Sequence, residues 1–201
     1  RSLINKDSSI DWCCLPQFDS PSVFGKILDQ NIGGSFKIDC DPSYEVEQSY
    51  ISNTSILCTR FSNGVDAFEL LDYMPRYNKE NDIYYAPPEI NRVLKYIKGE
   101  PVFRVIYDPR LEYALGETKS HIKEHFIVSI VNDKNYDTLF LYTDLDKKAV
   151  LSGEKIHLTK DHFISVSYNE KIQLPTLEHT LFAYERTKVY WLNWCHKTPH
   201  F

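Results

Sequence analysis

Two histidines four residues apart with an acid beside them, His121-Ile122-Lys123-Glu124-His125, form the most metal-like pattern in the chain. Inverted zinc proteases use this pattern on a helix, where positions i and i+4 share a face. Here it runs into the β-branched segment Phe126 to Val131, which predicts a strand instead. On a strand the two imidazoles stand about 13 Å apart, at roughly 3.3 Å per residue. One zinc, bonded at about 2.0–2.1 Å to each ligand, does not span that gap. No metal and no other cofactor is expected. Two groups of acids, Asp66, Glu69 and Asp72, then Asp133, Asp137, Asp144 and Asp146, lack the spacing of a calcium loop and read as solvated turns. Asn53-Thr54-Ser55 is a glycosylation sequon, meaningful only in a secreted protein, and is expected to be unmodified.

The second chemically suggestive group is Asp11, Trp12, Phe18 and Asp19. Carboxylates hydrogen-bond sugar hydroxyls, and aromatic faces stack on the apolar faces of sugars. The competing reading makes Trp12 a core residue and Asp19 the cap of a short helix. That helix would span Ser22 to Leu28, with Ser20 and Pro21 as its opening signal.

The elements that would position these groups are mostly short strands. Phe36, Ile38 and Cys40 alternate with polar neighbours, as do Leu57, Thr59 and Phe61, the period of a half-buried strand. Val102 to Tyr107 and Phe126 to Val131 read as apolar on both faces, as central strands do. Turn residues punctuate the runs at Asn31 to Gly34, Asn63-Gly64, Lys98 to Pro101 and Ser152-Gly153, and Asn63-Gly64 predicts a hairpin. Asn78 to Pro88 reads as a Tyr-rich loop. The pattern predicts an all-β fold, a sandwich or barrel. Near the C-terminus, Leu177, Leu181, Tyr184, Trp191, Leu192 and Cys195 recur at helical spacing. A helix over Thr176 to Cys195 would be about 30 Å long at roughly 1.5 Å per residue, and Pro199 would end it. Its aromatic residues suggest a linker docking on something other than the sandwich; the alternative is a helix folded over its own sheet.

Composition narrows the partners. A net charge of −5 leaves no basic face for phosphates, so neither nucleic acid nor an anionic membrane surface is an expected partner. No apolar run approaches the roughly 20 residues that span a bilayer. The opening Arg1 to Lys6 is not a signal peptide, and without an initiator Met it reads as a trimmed piece. Five cysteines, an odd number, are no disulfide framework and suggest a cytoplasmic protein with reduced thiols.

The stretch Ser9-Ile10-Asp11-Trp12-Cys13-Cys14-Leu15-Pro16-Gln17-Phe18-Asp19-Ser20-Pro21 resembles the opening motif of family 15 glycoside hydrolases, of glucoamylase or trehalase type, that carry an N-terminal domain. Gln48 to Phe61, Leu71-Asp72-Tyr73-Met74-Pro75, Phe103 to Tyr113 and Tyr190-Trp191-Leu192-Asn193-Trp194 are similar to later segments of that domain, in the same order. The resemblance implies a large antiparallel super-sandwich of the galactose-mutarotase type over residues 1–173. A linker helix over 174–201 would follow and lead to an (α/α)6 barrel that is not in this chain. It further implies inverting hydrolysis of α-glucans or trehalose by two barrel glutamates beyond Phe201. No catalytic residue therefore transfers to this chain. The barrel becomes its partner, Asp11, Trp12, Gln17, Phe18 and Asp19 an entrance or interdomain loop, and Tyr190, Trp191 and Trp194 the docking residues of the linker. Two departures stand out. Gln17 replaces the usual Arg and offers only neutral hydrogen bonds where that Arg would give charge-assisted ones. Cys13-Cys14 replaces the usual Leu-Cys.

Overall fold

The structure is a computed structural model and describes residues 2–79, 84–131 and 134–197. In chain order the first strands are β1 (Ser2–Ile4), β2 (Ile10–Cys14), β3 (Ser22–Phe24), β4 (Ser35–Cys40), β5 (Glu45–Tyr50), β6 (Leu57–Ser62), β7 (Ala67–Tyr73), β8 (Tyr77–Asn78) and β9 (Tyr84–Tyr85). They are followed by β10 (Glu89–Lys98), β11 (Val102–Asp108), β12 (Thr118–Ile122), β13 (Ile127–Val131), β14 (Lys134–Thr143), β15 (Ile156–His157) and β16 (His162–Tyr168). A short helix α1 (Lys147–Ser152) and a long C-terminal helix α2 (Leu177–Lys197) complete the set.

Two antiparallel sheets face each other. The smaller runs β1-β2-β4-β11-β15, with β3 on β2, and the larger runs β12-β13-β14-β16-β10-β7-β6-β5. Phe24, Phe36, Phe103 and Tyr107 from the first sheet meet Phe61, Phe68, Leu94 and Val166 from the second in one continuous core. The architecture is an all-β sandwich with a C-terminal helix, as expected. Among the described residues no helix is long and apolar enough to cross a membrane.

The Asn63-Gly64 hairpin joins β6 to β7, with Ser62 opposite Ala67. The Asn63 side chain accepts from the Val65 and Asp66 N–H groups, and Gly64 takes φ of 87°. Gly99, at φ of 77°, lets the chain cross from β10 in one sheet to β11 in the other. A Cβ there would meet an Asp66 carboxylate oxygen at 2.2 Å and the Val65 carbonyl at 2.8 Å.

Several expectations are corrected. Ser22 to Leu28 does not start a helix: Ser22–Phe24 is strand β3, fully buried and paired with β2. Pro21 fixes φ near a value that suits extended chain as well as a helix, and burying Val23 and Phe24 decides between them. Ser20 Oγ instead accepts backward, from the Gln17 N–H at 3.1 Å. Val102 to Tyr107 and Phe126 to Val131 are not buried on both faces, because β11 and β13 alternate. Strands covered on both sides include β7, β14, β16 and the first half of β10. Asn78 to Pro88 contributes the two-stranded ribbon β8–β9, its middle lying outside the described residues.

Asp144 and Asp146 lie in an exposed turn as expected, and several of these acids also make structural bonds. Asp146 caps α1 by accepting from the Lys148 N–H at 3.0 Å. Asp144 holds His162 at 3.0 Å and the Phe163 N–H, and Asp137 accepts from Tyr168. Asp133 lies outside the described residues. Asp72 is the largest departure. It is buried between the sheets, directly opposite Arg92 on the neighbouring strand.

Arg92 is fully buried. Its Nε and one terminal nitrogen bond both oxygens of Asp72, at 2.7 and 3.2 Å. The same guanidinium crosses to the other sheet, donating to the Phe36 carbonyl at 2.7 Å and the Ser8 carbonyl at 2.5 Å. The Phe36 ring lies 4.6 Å beneath it. Burial raises the Asp72 pKa, opposed by the charge and hydrogen bonds of Arg92. Arg92→Met leaves a buried carboxylate with no counter-charge, and we expect it to lower the unfolding free energy by about 3–5 kcal/mol. The double variant Arg92→Met/Asp72→Leu should recover most of that loss in urea denaturation. A double variant no more stable than the single one would show that the pair is not the origin of the effect.

Candidate functional site

Two surface regions gather the residues singled out by their chemistry. The first is the loop after β2. Asp11 and Trp12 lie on β2 itself, both half-buried, and Asp11 accepts from Ser9 Oγ at 2.5 Å and Asn5 Nδ2 at 3.2 Å. Gln17, Phe18 and Asp19 follow in an exposed turn, with Phe18 74% exposed. With no helix at Pro21, Asp19 caps nothing there.

Beside this loop the chain does something that the sequence did not announce. Glu112, Tyr113 and Ala114 take φ of 52°, 57° and 60°, a left-handed turn made without glycine. Each such residue costs about 1–2 kcal/mol. Its flanks are fixed: Leu111 is fully buried, the Leu111 N–H donates to Thr118 Oγ, and the Arg110 N–H donates to the Val23 carbonyl. Tyr113 Oη reaches the Ser20 carbonyl of the opening loop at 3.5 Å. Phe18, Tyr113 and Leu115, the last 85% exposed, thus project from two adjoining segments.

The second region lies along α2. Leu177, Leu181, Ala183 and Tyr184 pack on Ile56, Leu71, Tyr73 and Val93, the outer face of the large sheet. The buried Tyr73 hydroxyl donates to the Thr180 carbonyl at 2.5 Å. The first half of the helix is therefore folded over its own sheet, which corrects the expectation that it docks entirely elsewhere. Of the proposed docking residues, Tyr190 meets Tyr84 of the ribbon and Trp191 meets Arg76, while Trp194 is 54% exposed. Pro199, the expected stop, lies outside the described residues.

Arg76, just past β7, stands at the centre of this second region. Its guanidinium carbon lies 5.3 Å from the Tyr84 ring, 5.4 Å from Tyr190 and 5.2 Å from Trp191. Three aromatic faces around one cation hold it by cation–π attraction. Arg76 Nε and Trp191 Nε1 are nonetheless buried without a hydrogen-bond partner among the described residues. An orphaned buried donor costs about 1–3 kcal/mol. Arg76 directly follows the Leu71 to Pro75 motif but carries no sequence signal of its own; one partner, Tyr84, is eight residues on, whereas Tyr190 and Trp191 of α2 are more than 100 residues on.

Glu89, at the start of β10, is moved well toward neutrality, to a pKa of about 7. Burial is the main cause and the Glu170 charge adds to it, against a lowering hydrogen bond from Tyr85. His121 lies on β12 and His125 in the turn that follows, so the pair sits on a hairpin and not on a helix. Among the described residues no group of His, Cys, Asp or Glu is placed to hold a metal.

Comparison with known proteins gives this geometry a family. The model of the trehalase-like N-terminal domain matches residues 1–134. The chain belongs to that family. Its relatives include a trehalase of Thermoplasma acidophilum, 27% identical over 98% of this chain and 34% of its own length. Trehalase 2 of Sulfolobus acidocaldarius is 43% identical over 73% of this chain and 23% of its own length. A trehalase of Thermoplasma volcanium is 36% identical over 61% of this chain and 19% of its own. The chain thus spans about a third or less of the relatives it matches. No solved structure matches it. The family match covers the opening loop, the left-handed turn, the Arg92–Asp72 pair and Arg76.

Two outcomes test the local physics. Between about pH 4.5 and 7 folded Glu89 keeps a proton that the unfolded chain releases, so stability falls as pH rises through that window. Glu89→Gln should flatten that decline in thermal melts at pH 5 and pH 8. Tyr73→Phe removes the hydroxyl bond to Thr180 and should cost about 1 kcal/mol, with faster proteolysis within α2 than within the sandwich.

Proposed function

We propose that this chain is the non-catalytic N-terminal structural and interdomain domain of an inverting α-glucoside hydrolase of trehalase type. The observation that carries the reading is the family match, on a chain that covers about a third of a trehalase relative. Trehalose is the favoured substrate of the parent because the relatives are named trehalases; an α-glucan is the other member of the same class. Residues 1–173 would form the sandwich, and 174–201 would lead into a catalytic barrel, in a cytoplasmic enzyme.

Inversion requires two carboxyl groups about 6.5–9.5 Å apart, one protonating the leaving oxygen and one activating water. In this reading the barrel supplies both. The chain's own residues do other work. Phe18, Tyr113 and Leu115 offer an apolar contact for the barrel beside its substrate entrance, with Gln17 and Asp19 as polar neighbours. The strain at Glu112 to Ala114 supports this role, since strained backbone is kept where a fixed shape is used. Helix α2, anchored at its start by Tyr73, gives the barrel a rigid lever with Trp194 toward its far end.

A second reading, a free carbohydrate-binding sandwich, draws on a cleft of about 910 Å³ lined by His121, His125, Phe126, Phe140 and Lys171. The Lys171 ammonium lies 5.2 Å above the Phe126 ring and 5.7 Å from Phe140, where a sugar would have to stack. The interdomain reading is therefore preferred. Purified chain incubated with trehalose, maltose or starch should release no glucose, whereas the parent polypeptide should hydrolyse trehalose. Glucose release by the chain alone would refute the non-catalytic assignment.

A further inference from the structure

The outer face of the large sheet is covered unevenly. Leu177, at the start of α2, packs with Ile172 against Phe140, Tyr142 and Phe163. The cleft of about 910 Å³ lies beside that contact, over β12, β13 and β14. Strand register sets its floor. His121 stands opposite Val128, Val128 opposite Phe140, and Ile130 opposite Thr138. These side chains share the outer face, because the alternate positions Ile127, Leu139 and Leu141 belong to the core. The row from His121 to Phe140 spans two strand spacings, about 9–10 Å. Val128 and Ile130 are only half-buried on this floor.

The rim carries charge of one sign. His121, Lys123, His125 and Lys171 line the cleft, against one acid, Glu124, among the described residues. In a chain of net charge −5 that is a local excess of cationic groups. Glu124 lies 3.7 Å from His125, and among the described residues neither Lys123 nor Lys171 has an ion-pair partner. The Lys171 ammonium is held near the floor by the Phe126 and Phe140 rings, 5.2 and 5.7 Å away.

We propose that this cleft binds a small organic anion, an aryl carboxylate or sulfonate, with its ring on Val128 and Ile130 and its charge toward the lysines. The volume falls within the roughly 300–1,000 Å³ of small-ligand sites. A strongly hydrated inorganic anion would lose water against the apolar floor, which returns no hydrogen bond. A cation is repelled by the rim, and a neutral sugar meets Lys171 on the rings where it would stack. The ligand is a free solute rather than another stretch of polypeptide. Cys195 Sγ lies 3.4 Å from the Asn53 carbonyl, in the turn after β5, at the sheet edge opposite β12. It is 18 residues past Leu177, roughly 27 Å at 1.5 Å per residue. A domain following α2, as proposed above, would thus attach far from the cleft.

The probe is naphthalene-2-sulfonate, whose charge is fixed near neutral pH, with 2-naphthylmethanol and sulfate as controls. Titrated into the ¹⁵N-labelled chain, it should shift the amide signals of His121 to Ile130 saturably and leave those of β5 in place. Neither control should reproduce that response. Lys171→Gln should weaken binding by about fivefold, and Lys123→Gln/Lys171→Gln by about tenfold or more. No saturable shift, shifts spread over the sandwich, an equal response to either control, or unchanged affinity in the double variant would each overturn the proposal. The longer parent polypeptide should bind the probe as tightly as the shorter chain; only this arm rests on the function proposed above. Binding lost in the parent but kept in the shorter chain would show the cleft covered by polypeptide, and would overturn the free-solute assignment.

Discussion

The guanidinium of Arg92 is the point on which the two sheets agree. Sandwich cores are normally apolar because a buried charge is costly unless paired and fully hydrogen-bonded. Here one side chain from the large sheet bonds its strand neighbour Asp72 and then two backbone carbonyls, Phe36 on β4 and Ser8 just before β2. Only Ile10 and Phe36 are paired across β2 and β4, so these carbonyls lie where the small sheet is least closed by its own ladder. The Arg92 guanidinium, held in place by Asp72, thereby sets the stagger of one sheet on the other. Hydrophobic packing is non-directional and would tolerate a slide; the two hydrogen bonds from Arg92 that cross between the sheets do not.

From that fixed sandwich follows the role of the outer face. β7, β10 and β16 bury side chains on both sides, Phe68, Leu70 and Leu94 toward the core and Leu71, Tyr73 and Val93 toward α2. A sheet apolar on two faces needs a third layer, and the first half of α2 supplies it. The second half leaves that face and meets the β8–β9 ribbon through Arg76, Tyr84, Tyr190 and Trp191. One helix thus serves two surfaces, the sheet through its first half and the ribbon through its second.

Much of this was readable from residue order. The opening motif from Ser9 to Pro21, the alternating runs around Ile38 and Phe61, the Asn63-Gly64 hairpin and the helical spacing from Leu177 to Cys195 are local patterns, set by periodicity and turn chemistry within a few residues. The all-β class, the terminal helix and the family follow from them. Cys13, Cys14, Cys40, Cys58 and Cys195 are free thiols, in keeping with the odd cysteine count.

What residue order left open depended on partners far away. Ser22 to Phe24 carries helix-start signals but becomes a strand because β2 lies beside it, and Asp72 reads as a surface acid until Arg92 stands opposite, 20 residues on. The left-handed turn at Glu112 to Ala114 has no glycine to announce it, being imposed by its anchored flanks. Arg76 is enclosed by aromatic rings only when residues more than 100 positions later close over it. Local sequence fixes which conformations are cheap; which of them is occupied is decided by buried groups that find each other only after the sheets have stacked.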